Sequence, residues 1–88
     1  MVLEKYLISK GFNPSLKGFE YIVKAIQLVR QDRDYILQIT KKLYPKIAET
    51  YNDSVQNVER AIRHCISCSQ YRRETNGKLI AILEIETR

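Results

Sequence analysis

The sequence is short of the residues on which many protein classes depend. Its 88 residues contain no tryptophan, one histidine, one methionine, two cysteines, two prolines and three glycines. So little glycine and proline excludes collagen-like or linker-like chains. The longest apolar run, residues 79–83, has five residues, whereas a membrane-spanning helix needs about 20. The first ten residues carry Glu4 and lack a long apolar stretch, so no secretion signal is expected. With His64 as the lone histidine, no Gly-rich phosphate loop, and Glu84 and Glu86 merely two apart in the tail, no catalytic constellation emerges. An enzyme is not expected. Cys65 and Cys68 spell C-x-x-C beside His64. A structural zinc site takes four ligands, and a thioredoxin-like site sits in a βαβ unit; neither context is present. No metal or cofactor is therefore expected. Cys65 reads as a small core residue, and unpaired cysteines fit a reducing, cytoplasmic setting.

What is present points to one small globular domain. A chain of this length buries roughly 60–65% of its unfolded surface, which leaves a modest core. Hydrophobic residues make up 44% and charged residues 28%, a balance that excludes disorder. Fifteen Lys and Arg oppose ten Asp and Glu, for a net charge of +5. The excess lies upstream: residues 1–50 carry net +4, residues 51–73 net +2 and residues 74–88 net −1. A basic small domain favours an anionic partner such as nucleic acid. Ordinary solubility charge is the plain alternative.

The periodicity predicts helices. A short one should run over residues 3–10 and stop at Gly11. A second should cover about 15–30, because Phe19, Ile22, Val23, Ile26 and Val29 fall on one stripe. Asp32 or Asp34 can cap a third, covering Ile36, Ile39 and Leu43. Pro45 suits a first helical turn and starts a fourth helix, 45–51. The fifth is expected over about 54–72, with Asp53 and Gln56 as a capping box or Ser54 as the alternative cap. Residues 75–77 (Thr-Asn-Gly) then break it. The Ile-rich segment after them reads as a strand, with a terminal helix as the competing assignment. An unpaired strand edge invites pairing with another chain, so a homo-oligomer through residues 78–86 is an expectation. The resulting fold class is mostly α, about five helices with a strand-like tail. Residues 1–73 form the domain and 74–88 the tail.

Helices at 45–51 and 54–72, joined by a short turn, have the form of a helix-turn-helix. Ile47, Ala48 and Tyr51 can meet Val58 and Ile62 at the crossing, and Asn52 suits a left-handed turn residue. Opposite Val58 and Ile62, the second helix carries Gln56, Glu59, Arg60, Arg63 and Ser67 on one side, with His64 at the edge. A recognition helix places such residues in the major groove. Arginine donates two hydrogen bonds to guanine and glutamate accepts from cytosine. Arg60 and Arg63 are thus the leading base-reading candidates, with Glu59 third. Ser54 and Gln56 at the helix start suit phosphate contacts, and Arg72 and Arg73 can add charge. The bland alternative is a solvated face on which Glu59 and Arg63 form an i,i+4 ion pair.

The residues 39–48 (ITKKLYPKIA), 58–64 (VERAIRH) and 11–21 (GFNPSLKGFEY) resemble the C-terminal DNA-binding domain of the stage-zero sporulation response regulator family of endospore-forming Firmicutes. The resemblance covers about residues 3–73. It implies an all-helical fold whose recognition helix reads a short GC-containing box in promoter DNA. Carried over by position, Glu59, Arg60 and Arg63 match the family's base-reading residues and His64 a residue beside the DNA backbone. In the family a receiver domain precedes this domain, and further helices follow the position of Arg73. Here the receiver is expected to be absent and residues 74–88 read differently. The expectation is a cytoplasmic, sequence-specific transcription regulator acting on double-stranded DNA, with no membrane and no small-molecule substrate. The alternative is a protein-interaction module, or an antagonist that pairs with a related regulator through the apolar tail.

Overall fold

In a computed structural model that describes residues 2–88, the chain folds into six α-helices and one π-helical turn among the described residues. These are α1 (Val2–Ser9), α2 (Lys17–Gln31), α3 (Asp34–Leu37), the π turn (Ile39–Leu43), α4 (Tyr44–Tyr51), α5 (Val55–Ser67) and α6 (Asn76–Glu86). The mostly α class stands. Of the five helices expected upstream of the tail, four are present with shifted ends, whereas the third is split: its α-helical part stops at Leu37, and Ile39 and Leu43 lie in the π turn.

The amphipathic α2 is the central element and packs chiefly on α5 and α6. Ile22, Ala25 and Ile26 of α2 are fully buried in one core with Leu43, Ile47, Val58 and Ile62. Closure of the pair requires Gly18: a β-carbon there would lie 2.1 Å from the carbonyl oxygen of Ala61. Before α3, the Asp32 carboxylate accepts from the Asp34 amide at 3.0 Å, while the N-cap position is Arg33, which makes no side-chain cap. The chain then widens into the π turn, where the amides of Lys42 and Leu43 both donate to the Gln38 carbonyl. Pro45 has no amide to offer the carbonyl four residues back, so a wider turn before it costs no hydrogen bond.

The tail is a helix, which corrects the strand assignment. A single strand here would leave its amides and carbonyls without partners, whereas a helix satisfies them internally. Thr75 caps α6 by accepting from the Lys78 amide at 3.3 Å. Leu79, Ile80 and Leu83 are fully buried in the common core. Glu84, 4% exposed, accepts from Arg88 at 2.7 Å and lies 3.4 Å from Arg30 and 3.6 Å from Arg33. Glu86 accepts from the hydroxyls of both Tyr6 and Tyr71. The tail therefore presents no free strand edge, and of its large apolar side chains only Ile85 is exposed.

Helix α5 ends at Ser67, five residues short of the expected end. Ser67 and Ser69 turn their hydroxyls back onto the carbonyls of His64 and Ile66, which competes with helix continuation. The Gln70 amide instead donates to the Lys10 carbonyl at 3.1 Å. Tyr71 stacks on Phe12 with ring centroids 5.9 Å apart. No helix of the described residues is long and apolar enough to cross a membrane.

Candidate nucleic-acid interface

The turn between α4 and α5 is built by three consecutive residues. Asn52 adopts the left-handed conformation, with φ 53° and ψ 51°, which asparagine tolerates better than most side chains. The Asp53 amide then closes on the Ala48 carbonyl at 2.9 Å. Ser54, the alternative cap, is the actual one: its Oγ accepts from the Asn57 amide at 3.1 Å. The capping box with Gln56 does not form.

Asp53 has a different task. Its carboxylate accepts from the Tyr21 hydroxyl at 2.6 Å, the Ser54 amide at 2.8 Å and the Asn57 side-chain amide at 3.0 Å. The Tyr21 bond, then the Asn57 and Ser54 bonds, hold the carboxyl down at about 2. Burial, then the bond to Asp53, pushes the Tyr21 phenol up to about 12. The ring of Tyr21 also packs on Tyr51, centroids 5.1 Å apart. The turn is thereby fastened to α2 as well as to its own two helices.

Helix α5 buries Val58, Ile62, Cys65 and Ile66. Its other side exposes Gln56, Asn57, Arg60, Arg63, His64 and Ser67, with Glu59 half-buried. Arg63 pairs with Glu59 at 2.8 Å. Arg60 has no hydrogen-bond or ion-pair partner among the described residues. Ser54 lies exposed at the helix start, its hydroxyl hydrogen available to an acceptor because the cap uses only its oxygen.

Arg72 and Arg73 do not belong to α5. Both are exposed in the turn beyond it. Arg72 borders an open groove of about 750 Å³ together with Arg63, Glu59 and Thr40. Arg73 lines the concavity of its own turn, residues 70–74. The structure thus gathers Ser54, Gln56, Glu59, Arg60, Arg63 and His64 on one helix, brings Arg72 to its flank and leaves Arg73 aside.

Two contributors escaped the sequence reading. Gly18, which sets the depth of α5 against α2, appears in the sequence only as a glycine opening a strongly amphipathic helix. Asn76, read as a helix breaker, is buried beneath α5: its side-chain amide donates to the Tyr44 hydroxyl at 3.0 Å and to the Glu59 carbonyl at 3.1 Å. Thr75 standing before a run rich in Leu, Ala and Glu was the available signal of a capped helix there. Cys65 is buried and Cys68 exposed; burial pushes the Cys65 thiol up to about 11. Among the described residues no group of three or more His, Cys, Asp or Glu is placed to hold a metal ion.

A firmly capped helix-turn-helix, its second helix seated on a helical core and turning an arginine-bearing face outward, places the chain in the class of helix-turn-helix domains. Residues 3–86 match the family model for the sporulation initiation factor Spo0A C terminal, and the chain belongs to that family. The match continues well past residue 73, so α6 lies within the family domain.

Proposed function

We propose that the chain is a sequence-specific DNA-binding transcription regulator. Helix α5 enters the major groove, where Arg60 and Arg63 read guanines and Glu59 reads a cytosine or orients Arg63. Ser54, Gln56, His64 and Arg72 contact phosphates along the flank, with Arg73 as a more distant charge. The observation that carries this reading is the unpartnered, exposed guanidinium of Arg60 one turn from Arg63, on a helix whose opposite face is wholly committed to the core. A net charge of +5 supplies the matching long-range attraction, and membership of the sporulation initiation factor family supports it. The setting that follows is the bacterial cytoplasm, at the nucleoid.

The interaction-module alternative loses its physical basis in the tail. Leu79, Ile80 and Leu83 face the core of their own chain and are not offered to a partner.

The test is a fluorescence-anisotropy titration of the wild type, Arg60→Ala and Arg63→Ala against a duplex carrying the family's promoter box and a scrambled duplex, at two salt concentrations. Each alanine should cost about 1–3 kcal/mol on the box and relax its sequence preference. Uniform weakening on both duplexes would assign the arginines to phosphates instead. No salt-dependent binding at all would overturn the proposal.

A further inference from the structure

We infer that Asn76 is a positioning residue for base readout, and that α6 acts through it as a brace that sets the rotation of α5. This inference rests on the DNA-reading role proposed above for α5. Asn76 is 9% exposed and sits in the first turn of α6. Both of its side-chain N–H groups are used: one on the Tyr44 hydroxyl at 3.0 Å, the other on the Glu59 carbonyl at 3.1 Å. Tyr44 is the first residue of α4 and Glu59 lies in the middle of α5. One side chain therefore ties the start of the helix-turn-helix to the residue beside Arg60.

The attachment point is informative. A helical carbonyl has two lone pairs, one of which serves its own helix, so Glu59 accepts the Asn76 bond without breaking α5. A bond to the backbone, rather than to a side chain, fixes the roll of the helix about its axis. Arg60 follows Glu59 directly and Arg63 is one turn on, so their outward direction depends on that roll. The brace itself is anchored firmly. Leu79, Ile80 and Leu83 are fully buried. Tyr44 is buried beneath the same pair, and the charges of Glu59 and Arg63 act on its phenol in opposite directions. Burial pushes the pKa of that phenol up, and the hydrogen bond from Asn76 pulls it back.

The experiment compares the wild type, Asn76→Ala and Tyr44→Phe, full chains in each case. Anisotropy on box and scrambled duplexes is read beside circular dichroism and amide hydrogen exchange of the DNA-free proteins. Asn76→Ala should keep its helical spectrum and its affinity for scrambled DNA. Its preference for the box should fall about tenfold, equivalent to about 1.4 kcal/mol. Exchange should accelerate around Glu59 to Arg63. Tyr44→Phe keeps the Asn76–Glu59 bond and should retain most of the preference, which separates the bond to Glu59 from the bond to Tyr44. An unchanged preference in Asn76→Ala, or an equal loss on both duplexes, would overturn the positioning role. So would a Tyr44→Phe protein that loses the preference as fully as Asn76→Ala. If the wild type shows no preference for the box, the DNA-reading proposal fails, and the exchange rates alone then decide whether the brace exists.

Discussion

Gly18 of α2 faces the carbonyl of Ala61 on α5 across a gap that no side chain can enter: an added β-carbon would stand 2.1 Å from the oxygen and 2.8 Å from the Cβ of Cys65. The obstacle is backbone, which cannot swing aside as a flexible side chain would. Gly18→Ala gains up to about 1 kcal/mol of helix propensity. It must also push α2 and α5 apart, an overpacking cost of about 1–3 kcal/mol. The expected outcome is a net loss of stability in urea denaturation, together with weaker DNA binding because α5 shifts. A stabilised variant would show that the two helices separate freely.

Asn52 tests the turn. At φ 53° a β-branched side chain is strained. Asn52→Val should lose about 1–2 kcal/mol, and Asn52→Gly should stay close to wild type. Thermal melts of the two variants distinguish a conformational cost from a lost contact, since both remove the same amide.

Asp53 makes the turn acid-sensitive. Its carboxyl is held at about 2, below the ordinary 3.8, by the Tyr21 hydroxyl first and by Asn57 and Ser54 after it. A depressed value means that the folded state favours the charged form. That stabilisation is complete above about pH 4 and disappears as the pH falls through about 2. The stability gap between wild type and Asp53→Asn should therefore shrink across this interval. At the alkaline end the same pair acts through Tyr21, whose raised value of about 12 favours the protonated phenol. Its contribution is present below about pH 10 and is lost as the pH climbs through about 12. A gap that stays constant from pH 5 to pH 2 would contradict the Tyr21–Asp53 bond.

Two substitutions within α6 separate its core role from any surface role. Leu83 is fully buried and Ile85 is 59% exposed. Leu83→Ala should cost about 2–5 kcal/mol, the transfer and cavity terms together. Ile85→Ala should stay within about 0.5 kcal/mol. Sedimentation of Ile85→Ala beside the wild type then reports whether any self-association depends on the one large apolar side chain that α6 exposes.

Most of the helical frame was legible because its signals are local. The stripe of Phe19, Ile22, Ile26 and Val29 declares α2, and Pro45, Asn52 and Ser54 mark the ends of α4 and α5. The candidate reading face was legible for the same reason, since Gln56, Arg60 and Arg63 recur at helical spacing opposite Val58 and Ile62. Local signals failed where neighbours decide. Residues 79–83 suit a strand by propensity, and they form a helix because the described residues offer no strand to pair with and a core surface to cover. Residues 68–73 lack any strong stop. The helix ends there because Ser67 and Ser69 take up their own carbonyls and Lys10 offers an alternative partner to the Gln70 amide.

Patterning of apolar residues along the chain determined by itself that this protein is a small helical domain with a helix-turn-helix and an arginine-bearing second helix, because helix periodicity and capping act over three or four residues. Tertiary structure alone decided how that helix is held: how deep it sits, through Gly18 and Ala61, how its turn is fastened, through Tyr21 and Asp53, and how it is rolled, through Asn76 and Glu59. Each of these pairs joins residues 17 or more positions apart, beyond the reach of any local pattern. Their energy exists only once the core has brought them together.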